Sequence, residues 1–278
     1  MGEWISEVGP SFGFTVETTE HLYTARSPYQ QIDIYQTAHC GKLMLLDGII
    51  QFTEYDEFAY QEMLAHLPLF AHPCPERVLV IGGGDGGILR EIAKHDCVKR
   101  IDICEIDAMV IEAAKKFVPS MSCGFDDPRV AVHIADGSKF VADKESEYDV
   151  IIVDSTDPVG PGESLFNAEF YSKMKRALKP DGVIASQSES IYLHPAVIKR
   201  LMRINLDLFG SYNYALMLVP TYPTGTIGAS VVSCSRDVKN PVREPDASML
   251  AKLRYYTPAI HRASFVLPKF AEDFLKEV

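Results

Sequence analysis

Five glycines and one aspartate fill positions 82–87, directly after the apolar run Val78 to Ile81 and before the apolar-periodic stretch Ile88 to His95. That context constrains the fold more than any other feature. A strand that turns through glycines into a helix is the first half of a βαβ unit. The spacing Gly82, Gly84, Gly87 matches G-x-G-x-x-G, in which missing side chains let the backbone approach a nucleotide-like ligand. The loop by itself does not choose a ligand, because dinucleotide sites and adenosyl-sulfonium sites both use it.

Downstream the alternation continues. Strands are predicted at 78–81, 100–105, 130–135, 149–153, 182–186, 214–219 and 227–234. Helices are predicted at 88–95, 108–117, 166–178 and 196–208. Such alternation implies crossover connections and a mostly parallel, Rossmann-like sheet. The last two strands are joined by only a short link, Pro220 to Thr226, so they are expected to be antiparallel. Upstream, residues 11–53 read as β-structure. Asp47-Gly48 separates two apolar runs and suits a two-residue type I′ turn. Between the two regimes lies a predicted helix over 56–67, with Tyr60, Met63, Leu64 and Leu67 along one side and Pro68 expected to stop it. The division expected is a small N-terminal β-domain over 1–53 and a Rossmann-like α/β domain over 54–278.

The acids refine the ligand. Asp85 sits inside the glycine loop, where a carboxylate would repel a pyrophosphate and suits a cation. Its competing role is a helix cap. Glu105, at the end of the second strand of the series, is placed to accept hydrogen bonds from ribose hydroxyls. Asp136-Gly137 follows the third strand, where a carboxylate can accept from an adenine amino group or simply make a turn. Asp154, Asp157, Pro158 and Pro161 lie in one loop after the fourth strand. In an open α/β sheet these loops share one rim. Four carboxylates there repel one another unless cations join them, which points to a positively charged nucleoside together with a second cation.

Charge agrees with that reading. The 278 residues include 27 Lys and Arg against 38 Asp and Glu, a net charge of −11. Nucleic acid and anionic membrane surfaces are therefore poor partners. None of the six cysteines forms a CxxC pair, and the eight histidines are scattered, so no metal site is expected. The N-terminus lacks the basic start and apolar run of a secretory signal, and reduced thiols in the cytoplasm are the expectation.

Seven segments together resemble the polyamine aminopropyltransferase family. They are SPYQ (27–30), LDGIIQFTEYDEFAYQEM (46–63), IGGGDGG (81–87), CEID (104–107), ADG (135–137), VDSTDPVGPGESLF (153–166) and PTYPTG (220–225). The pairing of GGGDGG with DSTDPVGP is the specific part. A plain adenosylmethionine methyltransferase would share only the looser glycine loop and the ribose acid. The resemblance implies transfer of an aminopropyl group from decarboxylated adenosylmethionine to a diamine, usually putrescine, giving spermidine and methylthioadenosine. The donor is then a co-substrate, and no cofactor is implied.

Carried over by position, Gln30, Gln61, Asp85, Glu105, Asp136 and Gly137 would hold the donor. Tyr60, Asp154, Asp157, Gln187 and Tyr222 would hold the acceptor, with Asp154 as proton acceptor. The family also implies a homodimer or homotetramer, often formed through the N-terminal region. The residues leave open other acceptors such as cadaverine, agmatine or spermidine. They also leave open a small-molecule methyltransferase and a non-catalytic polyamine or nucleoside sensor.

Overall fold

In the computed structural model, residues 2–8, 13–156 and 160–276 are described. The N-terminal region is a five-stranded antiparallel sheet, β1 (Glu3–Val8), β2 (Gly13–Arg26), β3 (Gln31–Thr37), β4 (Lys42–Leu46) and β5 (Ile49–Thr53), in sequential order. The β4–β5 hairpin turns at Asp47 and Gly48, both at positive φ (48° and 83°), as a type I′ turn requires. The sheet curls until Glu7 on β1 accepts a hydrogen bond from the Ile50 amide of β5 at 2.7 Å.

Helix α1 (Glu57–Ala71) leads into the second sheet. Its strands are β6 (Arg77–Gly82), β7 (Arg100–Glu105), β8 (Val130–Ile134), β9 (Tyr148–Asp154), β10 (Leu178–Gln187), β11 (Asn213–Leu218) and β12 (Thr226–Val232). Their order is β11-β12-β10-β9-β6-β7-β8. Strands β10, β9, β6, β7 and β8 are parallel, and β12 and β11 are antiparallel to their neighbours. The mostly parallel Rossmann-like sheet with an antiparallel final pair is the one that the alternation predicts.

The helices between strands are α2 (Gly87–Ala93), α3 (Ala108–Phe117), α4 (Pro119–Ser122), α5 (Gly137–Phe140), α6 (Ala168–Ala177) and α7 (Pro195–Phe209). Side chains alternate across the sheet, so β6 sends Val78 and Val80 to one face and Leu79 and Ile81 to the other. The first face packs on α1 and α2, the second on α6 and α7. Helix α3 packs its Val110, Ala113 and Ala114 against Ile32, Ile34, Met44 and Phe52. That contact seats the N-terminal sheet beside the carboxyl ends of the parallel strands.

Pro68 does not stop α1, which continues to Ala71. Proline removes one amide donor, yet the last turn is held by other means. Arg243 donates to the carbonyls of Leu69 (2.7 Å) and His72 (2.9 Å), and the Val242 amide donates to Phe70 (2.9 Å). The apolar stripe read from sequence also understates the helix, because every residue from Ala59 to Ala71 is buried. Tertiary packing here overrides a local breaker signal. Strand β1 lies outside residues 11–53, the stretch that reads as β-structure.

Candidate active site

The glycine loop and the end of β9 are built against each other. The Gly83 amide donates to the Asp154 carbonyl at 3.0 Å. Gly82 has φ +80°, and a Cβ there would lie 2.0 Å from that same carbonyl oxygen. Only glycine allows both the left-handed conformation and the approach. The result sets the Asp154 carboxylate beside the loop.

The side chain of Asp85 folds back to accept from the Gly87 amide at 2.6 Å. Gln61 of α1 donates its Nε2 to both Asp85 oxygens, at 3.3 and 3.2 Å. Asp85 thus serves its own helix start and lines the cavity at once. Gln61 keeps its Oε1 buried with no hydrogen-bond partner among the described residues. One residue earlier, the Tyr60 hydroxyl donates to Asp154 Oδ1 at 2.6 Å. Adjacent residues of one helix therefore hold the two loop acids.

Glu105 accepts from the Asp107 amide at 2.8 Å, and Asp107 in turn caps α3 through the Met109 amide. Asp107 also accepts from Ser27 Oγ (2.6 Å) and Gln30 Nε2 (3.1 Å), which carries Gln30 into the wall from the N-terminal sheet. Asp136 caps α5 by accepting from the Ser138 and Lys139 amides at 2.9 and 3.2 Å. On the opposite side the Tyr222 ring meets Tyr60 edge-on, 6.0 Å between centroids, with its hydroxyl on the Gln51 carbonyl at 2.6 Å. Gln187 donates to Glu189 at 3.4 Å and leaves its own Oε1 without a hydrogen-bond partner among the described residues.

One cavity brings these groups together. Its walls include Gln30, Tyr60, Gln61, Asp85, Glu105 and Asp136, and also Gly137, Asp154, Gln187 and Tyr222. Every site residue expected from sequence lies there except Asp157, which is outside the described residues. The sequence reading missed Glu7, Glu189 and His194, which line the same cavity. Glu189 Oε2 lies 2.6 Å from His194 Nδ1. Glu189 holds φ +58°, a left-handed conformation unusual for a residue with a side chain.

The electrostatics are one-sided. Among the described residues six carboxylates line the cavity, from Glu7, Asp85, Glu105, Asp136, Asp154 and Glu189, and none of those lining it is Lys or Arg. Burial pushes the Glu105 carboxyl up to about 7. Burial also raises Asp85, against the pull of the Gly87 amide. Asp154 rises through burial and then through the Asp85 charge, with the Tyr60 hydrogen bond opposing. Such a site is starved of positive charge and favours cations.

Comparison with known proteins gives the geometry its context. Residues 57–242 match the spermine/spermidine synthase domain, and residues 3–54 match the spermidine synthase tetramerisation domain. The chain is 46% identical over 267 residues to a spermidine synthase of Dictyostelium discoideum, covering 96% of this chain and 94% of that one. It is also 46% identical over 285 residues to spermidine synthase 1 of Hyoscyamus niger, covering 98% and 90%. A crystal structure of spermidine synthase in complex with the transition-state analogue AdoDATO superposes with a TM-score of 0.93 at 40% identity, covering 99% of this chain and 96% of that one. The spermidine synthase of Thermotoga maritima superposes with a TM-score of 0.91, also at 40% identity, covering 99% and 95%. With its acid-lined cavity at the carboxyl ends of a Rossmann-like sheet, the chain belongs to the spermine/spermidine synthase family of aminopropyltransferases.

Proposed function

We propose that the protein transfers the aminopropyl group of decarboxylated adenosylmethionine to putrescine, forming spermidine and methylthioadenosine. The observation that carries this reading is a cavity lined, among the described residues, by six carboxylates and by no Lys or Arg. The donor brings a sulfonium and, having lost its carboxylate, a terminal ammonium. Ordinary adenosylmethionine would present a carboxylate to Asp85 and be repelled.

In this reading Asp85 takes the donor ammonium, and the orphaned Gln61 Oε1 accepts a second of its N–H groups. Glu105 takes the ribose hydroxyls, Asp136 with Gly137 the adenine edge, and Gln30 completes the wall. Tyr60 and Tyr222 offer ring faces to the acceptor cation. Gln187 and Asp157 serve the acceptor. The acceptor amine is protonated near neutral pH and must lose a proton before it attacks. Asp154 accepts that proton and orients the lone pair. The amine nitrogen then bonds to the aminopropyl carbon as the carbon–sulfur bond breaks, and sulfur leaves as a neutral thioether. The sulfonium supplies the electrophile, so the reading requires no metal or cofactor.

Residues 1–53 form the assembly region in this account and 54–278 the catalytic region, in a homodimer or homotetramer. We place the enzyme in the cytoplasm, in keeping with six unpaired cysteines. Among the described residues no helix is long and apolar enough to cross a membrane.

Competition kinetics between putrescine and n-butylamine test the proposal. The monoamine leaves the distal acids unpaired, so putrescine is expected to exceed it roughly tenfold or more in kcat/KM. Equal use of the two amines would defeat the diamine reading.

A further inference from the structure

Asp56 immediately precedes α1 and is 2% exposed, yet its side chain does not cap that helix. Its carboxylate is spent elsewhere. Oδ1 accepts from Thr53 Oγ1 and from Thr221 Oγ1, each at 2.8 Å. Oδ2 accepts from the Thr221 amide at 2.7 Å. One buried carboxylate therefore joins the end of β5 and the start of α1 to the β11–β12 connection, 165 residues further along the chain.

Each of those three elements supplies a piece of one cavity wall. Strand β5 gives the Gln51 carbonyl that receives the Tyr222 hydroxyl. Helix α1 gives Tyr60 one turn beyond Asp56. The connection gives Tyr222, the residue after Thr221. Within that connection the backbone bonds run locally, from Tyr222 to Val219, from Gly225 to Tyr222 and from Val219 to Gly225. They shape the turn without fixing its distance from α1. The bonds to Asp56 supply that distance. By contrast, the donor-side residues Glu105 and Asp136 hang on bonds that do not involve Asp56.

We infer that Asp56 is a positioning residue for the amine acceptor, acting through Thr221 to hold Tyr222 opposite Tyr60. It touches neither reactant. The inference rests on the proposed placement of the amine against the faces of those two rings. A buried carboxylate with three donors suits the task, because removing it strands the Thr221 amide and lets the connection drift. Asparagine preserves much of the arrangement. Its oxygen can face the Thr221 amide while its amide donates to the two hydroxyls, which can accept.

The test is steady-state kinetics with putrescine, together with donor affinity by titration, on four variants. Asp56→Ala is expected to raise the amine KM by roughly tenfold or more, with donor affinity kept within about twofold. Asp56→Asn is expected to recover most of the lost amine affinity. Thr221→Val removes one bond of three and should raise the amine KM by about threefold, which keeps the idea testable if Asp56→Ala does not fold. Tyr222→Ala checks the premise. If it leaves the amine KM unchanged, the placement of the amine falls and the inference with it. If Tyr222→Ala raises the amine KM while Asp56→Ala and Thr221→Val do not, the inference alone is overturned. An equal loss of donor and amine affinity in Asp56→Ala would also overturn it, as the mark of general loosening.

Discussion

Asp154 shares its cavity with Asp85 and Glu105 and receives the Tyr60 hydroxyl. Replacing it with asparagine keeps a group that can accept from Tyr60 but removes the proposed proton acceptor. Asp154→Asn is expected to keep donor affinity within a few-fold and to slow transfer by about 10²–10⁴ in single-turnover experiments. A wild-type rate would remove Asp154 from the chemistry. The raised carboxyls give a second prediction. Burial pushes Glu105 up to about 7, and Asp85 and Asp154 are raised as well. A bound cation favours the ionised forms, so donor binding should expel protons, and donor affinity should rise as pH climbs through about 7. Calorimetry in buffers of different ionisation enthalpy reads this directly, and proton uptake on binding would contradict it. At this scale the sequence was informative where an acid sits in a glycine or proline loop, as Asp85 and Asp154 do. Glu7 and Glu189 carry no such mark. One is an acid in a strand that also carries Glu3, and the other owes its place to a left-handed backbone that no local pattern announces.

Helix α1 is the element on which both halves of the site depend. Its Glu57 receives Arg90 of α2 through two bonds, at 3.0 and 2.8 Å. Arg90 follows Asp85 by little more than one turn. Glu57 precedes Tyr60 and Gln61 on neighbouring positions of one helical face. The pair is mostly shielded, with side-chain exposures of 18% and 8%. Arg90→Met would leave Glu57 buried and uncompensated, at a cost of about 3–5 kcal/mol. Urea unfolding should show a lower midpoint, and a change below about 1 kcal/mol would place the pair among weak surface bridges. The helix itself was legible from its periodicity, but its end was not. Pro68 reads locally as a stop, and the partners that carry the helix past it, Val242 and Arg243, lie more than 170 residues away. The β4–β5 hairpin was legible because Asp47-Gly48 contains its own geometric reason. Strand β1 was not, since its alternation is weak and its pairing with β2 supplies the order.

For the molecule as a whole, the N-terminal sheet does two things. It reaches the cavity with Gln30 and Glu7, and it leaves an edge. Among the described residues strand β1 pairs only with β2, and Trp4 on it is 61% exposed. An unpaired edge with an exposed aromatic invites association with another copy. Light scattering is expected to give a dimer or tetramer of the 31.0 kDa chain, with Trp4→Glu shifting mass toward smaller species. A wild-type monomer at micromolar concentration would refute this. The parallel sheet was legible in the strand–helix alternation, and the rim of acids followed from the topology. Which walls meet around the cavity was not, because Tyr60 and Tyr222 are brought together only by the closed fold. The proposed work of this acidic cavity is to move an aminopropyl group from a decarboxylated donor to a diamine. The most direct measurement offers the enzyme equal amounts of adenosylmethionine and its decarboxylated form with putrescine, and identifies the products by mass spectrometry. Spermidine and methylthioadenosine are expected in equal amounts, with intact adenosylmethionine left unused. Methylated putrescine with adenosylhomocysteine, or no spermidine at all, would contradict it.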